Sequence, residues 1–243
     1  MDSHNFPIKK VRAFRRRIHR VSHDLLEKEL KMEGWSLGLS DPSEILTSCD
    51  ALWLRDGFGL AAYLYRSGDN GNGVIWALPD NQTLPSINDC EILDGHFLSP
   101  PKPPAALGHY MEAVEGDGTP WSYLTASLVG RELSEYGALW HGCWWDTHDL
   151  IFHNPFYKRS REFEQRSFNS FEKPDQWRWE ETQPKSYLPT VSVNDTAITV
   201  EFYTFTPVGA CQVIRHIDTY KAGNYISKTE VTTMAIGPEG IVF

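Results

Sequence analysis

The chain is predicted to be an α+β protein: antiparallel β-meanders, forming a curved sheet or a partly open barrel, packed with an N-terminal amphipathic helix and one central helix. Three observations predict this. The last third reads as three β-rich runs, "TAITVEFYTFT", "CQVIRHIDTY" and "YISKTEVTTMAI", separated by the turn formers "PVGA" and "KAGN". Near the start, Ile8, Val11, Phe14, Ile18, Val21 and Leu25 recur at steps of three or four, which is one stripe of a helix. In the middle, "WSYLTASLVGRELSEYG" is bracketed by Thr119, a capping residue, Pro120, which suits the first helical position, and Gly137, which suits a left-handed stop.

Between the two helices, "DALWLRDGFGLAAYLYRSGDNGNGVIWALP" alternates strand-like runs with glycine-rich turns and is expected to form a three-stranded meander. The segment 99–104, "SPPKPP", must be extended, because each proline fixes its own φ and turns its predecessor away from helix. A single domain over 1–243 is expected, with a subdivision into 1–98 and 105–243 around that strap as the alternative. Residues 157–186 are polar and aperiodic, apart from "QWRWE", which puts Trp177 and Trp179 on one strand face. The stretch "ALWHGCWWDTHDLIFHNPF" is expected to run on from the central helix as a strand, turn at Asp146–Asp149, and fold back as a hairpin.

Composition excludes several classes. At 41% hydrophobic and 23% charged residues the chain is not globally disordered. Its apolar runs are far shorter than the ~18 residues that cross a bilayer, and no export signal is evident, so a cytoplasmic location is expected. Cys49, Cys90, Cys143 and Cys211 are scattered, without the paired spacing of a zinc ribbon or a disulfide framework. The net charge of −9 is uneven: the first 20 residues hold seven Lys/Arg and one acid, which leaves 16 basic and 31 acidic residues in the rest. The arm attracts polyanions and the body repels them.

The candidate sites follow from these elements. On a strand, His141, Cys143 and Trp145 point one way and Trp140, Trp144 and Asp146 the other, so His141 and Cys143 form a polar pair among tryptophans. Glu132 and Glu135, near the end of the preceding helix, are within chain reach of that pair. Two ligands fall short of the three or four that zinc requires. No metal or cofactor is therefore expected unless Cys90, His96, His109 or Cys211 comes close. If the first C-terminal hairpin turns at Val208–Gly209 and the next within Lys221–Asn224, Glu201 faces His216 and Arg215 faces Glu230. The latter pair would lie on the apolar face with Val200, Phe202 and Val213, as an anion-binding cup. "GWSLG" at Gly34–Gly38 matches a serine-elbow pattern but lacks the strand before and the helix after, and "GDG" at Gly116–Gly118 reads as a capping turn.

The function these features favour is non-catalytic binding of a small, anionic ligand in an aromatic-lined pocket, with His141, Cys143, Trp144, Trp145, Arg215 and Glu230 as its contacts. One alternative is an enzyme using a His/Cys or His/carboxylate pair on the 138–156 hairpin. Another is an adaptor that docks on an anionic surface, or on a protein partner, through Lys9, Lys10, Arg12, Arg16, Arg17 and Arg20. Nucleic acid is disfavoured, since Phe14 is the sole Phe, Tyr or Trp between Ile8 and Arg20.

Overall fold

The computed structural model describes residues 2–29, 32–154 and 174–241. In chain order the elements are β1 (Asp2–Asn5), α1 (Ile8–Leu26), β2 (Gly34–Leu37), α2 (Glu44–Thr47), β3 (Leu52–Leu54), β4 (Phe58–Ser67), β5 (Asn70–Pro79), β6 (Glu91–Ile92), β7 (Pro101–Lys102), β8 (Val114–Gly116), α3 (Pro120–Ser134), β9 (Asp149–Ile151), β10 (Arg178–Trp179), β11 (Thr190–Val193), β12 (Ile198–Thr206), β13 (Ala210–Tyr220) and β14 (Lys228–Glu239). The protein is mixed α+β, and its strand pairings are antiparallel. Two compact units interleave along the chain. The first comprises 1–12, 146–221 and 227–243, and the second 13–145 and 222–226. The division falls inside α1, and the Pro-rich strap lies within the second unit.

The first unit is a curled, half-barrel sheet in the order β1-β11-β12-β13-β14-β10, with β9 paired to the part of β12 that β11 leaves open. The three C-terminal runs form β12, β13 and β14. From Phe202 to Thr206 every residue of β12 is buried, so this stretch is covered on both faces. One face packs Tyr203, Phe205, Val213 and Cys211 with Ile151, Tyr187 and Trp177, and Trp179 covers the rim, so the two tryptophans of "QWRWE" share a cluster. The part of that polar segment spanning 157–173 lies outside the described residues.

The second unit holds the hairpin β4–β5, extended by β2 into a three-stranded sheet, together with α2 and α3. The expected meander is corrected here: β3 pairs with β8, and β2, formed by the "GWSL" of the elbow-like motif, takes its place beside β4. Leu52 and Val114, from β3 and β8, are both buried, an opportunity that local alternation cannot reveal. In α3, the Thr119 hydroxyl accepts from the Ser122 amide at 3.4 Å, Pro120 opens the helix, and Gly137 beyond its end has φ +91°. Leu124, Leu128, Val129, Leu133 and Tyr136 are each at most 1% exposed. The strap 99–104 is extended only around β7, since Ser99 takes a left-handed φ of +45° and Pro104 lies in a turn. Trp76 and Trp35 donate indole N–H bonds to the carbonyls of Pro101 and Leu98 at 2.8 and 2.9 Å. No disulfide links cysteines among the described residues.

Candidate functional site

The segment expected to be a tryptophan-rich strand is instead a pair of 3-10 turns, Trp140–Gly142 and Trp145–Thr147, and extended pairing begins only at β9. Backbone chemistry explains the difference. Glu135, just past α3, takes the amides of both Trp144 and Trp145 on one carboxylate oxygen, so neither N–H is available to a neighbouring strand. Upstream, Leu139 bridges to Gly71 of the β4–β5 hairpin, and the chains approach so closely that a Cβ at Gly73 would overlap the Tyr136 carbonyl and one at Gly142 the Gly71 carbonyl. Trp140 takes a left-handed φ of +49° at the corner.

The alternation of faces inferred for His141, Cys143 and Trp145 therefore does not apply. His141 is exposed, Cys143 half-buried and Trp144 48% exposed, while Trp145 is 1% exposed. Trp145 lies between the guanidinium groups of Arg15 at 4.6 Å and Arg131 at 5.6 Å, and Arg15 is paired in turn with buried Glu132. That arrangement is cation–π packing of a core indole rather than the wall of a pocket. Among the described residues, the group with metal-ligand geometry is His23, Asp24 and Glu27, all exposed and remote in sequence from the four cysteines. Exposed acidic groups of this kind are common without an ion.

In the first unit the register corrects the anion cup. Strands β12 and β13 are centred on Gly209, whose φ is +67°, so Glu201 faces Ile217, Phe202 faces His216 and Tyr203 faces Arg215. Glu230 faces Ile217 and pairs with Lys228 at 3.0 Å, while Arg215 faces Thr232. Arg215 therefore shares a face with Tyr203, on the side opposite Val200 and Phe202. Its partner is Glu201, at 3.1 Å, and the two side chains are 35% and 33% exposed. Burial works against the Arg215 charge, but the hydrogen bond and the negative charge of Glu201 outweigh it and raise the guanidinium above its usual range. The other Glu201 oxygen accepts the Tyr203 hydroxyl at 2.5 Å.

This ionic pair leads to a cleft. The Tyr203 ring packs on Tyr187 at 5.2 Å, and Tyr187 lines an open cleft of about 650 Å³. Its walls include Ile8, Phe152 and Leu188, with His153, Lys185 and the amides of Asn154 and Gln183 as polar groups. No Asp or Glu lines it among the described residues, although the chain carries a net charge of −9. The Arg12 guanidinium lies over the Phe152 ring, 4.8 Å from its centroid. Ile8 is the first residue of α1, a helix with no acid in its first turn, so the partial positive charge of that terminus is not neutralised there. Tyr187 is only 3% exposed, and burial, partly offset by the Gln183 side chain, pushes its hydroxyl up to about 12.

The opposite face of the same strands hides a polar cluster. Thr204, His216 and Asp218 are fully buried, and His148 and Thr206 are at most 5% exposed. Thr204 Oγ1 and His216 Nε2 lie 2.8 Å apart, the His216 ring stacks on Phe202 at 4.8 Å, and the His148 ring meets it edge-on at 6.1 Å. Thr229 donates to Asp218 at 2.7 Å. Sequence reading placed His148 in a turn and set His216 opposite Glu201. The missed signal was Gly209, which as a left-handed apex places His216 and Asp218 in register with Phe202 and Val200. Both imidazoles are closed to solvent, so the cluster is built to hold the sheet.

On α1, Lys9, Lys10, Arg16, Arg17 and Arg20 are exposed and Arg12 is half-buried. No protein-family model, curated protein or solved structure matches the chain.

Proposed function

We propose that the protein binds a small anion with an apolar body, non-covalently, in the cleft beside Tyr187. The observation that carries this reading is the absence of acidic residues from the described lining of the cleft in a strongly acidic chain, with Lys185, His153 and the start of α1 grouped around it. A volume of about 650 Å³ suits a ligand of modest size, since such sites span roughly 300–1,000 Å³. Lys185 supplies charge, and the half-buried Ile8 and Leu188 an apolar surface. Arg215 is a positioning residue here. Glu201 takes up its charge and also holds the Tyr203 hydroxyl, which seats Tyr203 against Tyr187.

Calorimetric unfolding in the presence of benzoate tests this. A ligand that binds only the native state at about 100 times its Kd adds roughly 2.7 kcal/mol, so the unfolding midpoint rises in the parent protein and stays put in Lys185→Glu. Equal rises in both proteins would place the anion elsewhere. No rise with benzoate, an aliphatic carboxylate or a phosphate monoester would remove the proposal.

A further inference from the structure

The exposed side of α1 carries a strip of positive charge. Its buried side is Val11, Phe14, Ile18, Ser22 and Leu25, spaced three or four apart, so the helix is fixed with the opposite side outward. Arg15 is neutralised by Glu132 and Arg12 is held over Phe152. Arg16 and Arg20, by contrast, make no ion pair among the described residues, and Arg17 lies over the Phe14 ring, 5.8 Å from its centroid. Arg16 and Arg20 are one turn apart on the same strip, with Arg17 beside them, and Lys9 and Lys10 continue it toward the helix start. No acid interrupts α1 before Asp24, and Ala13, exposed in the middle, leaves the strip low and flat.

We infer that this strip docks the protein on the phosphate headgroups of an anionic lipid bilayer, by electrostatics alone. The apolar stripe that an interfacial helix would insert into lipid is committed to the protein's own core, so insertion is excluded and surface attraction remains. A planar array of phosphates matches a helix that is half sunk in its own protein and presents a flat row of cations. A nucleic-acid groove instead requires a protruding element, and single-strand binding requires exposed rings, whereas Phe14 is 3% exposed. Arginine, which supplies three of the five exposed cations, pairs with phosphate oxygens in a bidentate manner. The excess of acid over base beyond residue 20 repels the same surface, so approach is oriented through α1. This inference does not depend on the cleft.

Co-sedimentation of the full chain with vesicles tests it, comparing pure phosphatidylcholine with the same lipid containing about one third phosphatidylglycerol. Each basic residue near such a surface strengthens binding about fivefold, so the combined Arg16→Gln, Arg17→Gln, Arg20→Gln variant is expected to partition about 100-fold more weakly. Binding of the parent is expected on anionic vesicles at about 50 mM salt, and to vanish at about 500 mM and on neutral vesicles. An unchanged thermal midpoint in the variant, and a proportionately smaller loss of about 25-fold in a variant carrying only Arg16→Gln and Arg20→Gln, tie the effect to charge rather than folding. Equal sedimentation of parent and variant, or no sedimentation of the parent at low salt, would overturn the inference. So would tighter binding of the parent to a DNA duplex than to the vesicles, lost in the same variant.

Discussion

The two faces of β12 and β13 handle buried polarity in opposite ways. On one, Thr204, His216 and Asp218 are sealed from water and are held by hydrogen bonds such as the 2.8 Å contact between Thr204 and His216. On the other, the Arg215–Glu201 pair is left about one third exposed. The contrast follows from desolvation. A polar side chain can be buried once hydrogen-bond partners replace water, as Thr229 does for Asp218, while an ion pair recovers its lost hydration only with difficulty and is cheaper at a wet edge. The sealed face therefore contributes cohesion, and the wet face is the one that adjoins a ligand-sized cleft.

The largest loss comes from His216→Ala, which empties a fully buried site against Phe202 and removes the hydrogen-bond partner of Thr204. About 4 kcal/mol of stability should go, read from the denaturant midpoint. Next comes an effect on the other face, at high pH. Below pH 10 the Tyr187 phenol is neutral in both folded and unfolded chains. Because burial raises the folded group to about 12, the unfolded state ionises first, and stability falls as pH rises from 10 through 12. The drop attributable to this residue is roughly 3 kcal/mol, measured as the difference between the parent and Tyr187→Phe across that window. Thr204→Val keeps the shape and removes one hydrogen bond from the sealed face, which costs about 2 kcal/mol. Glu201→Gln, which weakens the half-exposed pair, costs less than about 1 kcal/mol. A larger loss for Glu201→Gln than for Thr204→Val would break the comparison.

Those faces also show where sequence reading succeeds and where it stops. The existence of β12, β13 and β14, both long helices, and the stop at Gly137 are written in periodicity and punctuation, which are local properties. Register is not. Moving the apex of one hairpin from between Val208 and Gly209 onto Gly209 turns every side chain of β13 over relative to β12, which separates Arg215 from Val200 and Phe202 and sets His216 and Asp218 beside them. The second hairpin differs by two residues, so Glu230 keeps its face and loses only its partner. The tryptophan-rich segment departs from its expected strand for a different reason. Its backbone is governed by Glu135 and by the close approach of Gly71 and Gly73, contacts separated from it in sequence and invisible to alternation. The cleft was beyond reach altogether, because Ile8, Phe152 and Tyr187 come from three distant stretches of the chain.

The central claim is that the wet face serves a cleft selective for anions. Isothermal titration with benzoate and with benzamide, its neutral isostere, tests it most directly, since the two differ in charge and hardly in shape. The account predicts measurable binding of benzoate, at least tenfold weaker binding of benzamide, and loss of that preference in Lys185→Glu. Equal affinity for the two compounds, or a preference that survives Lys185→Glu, would contradict it.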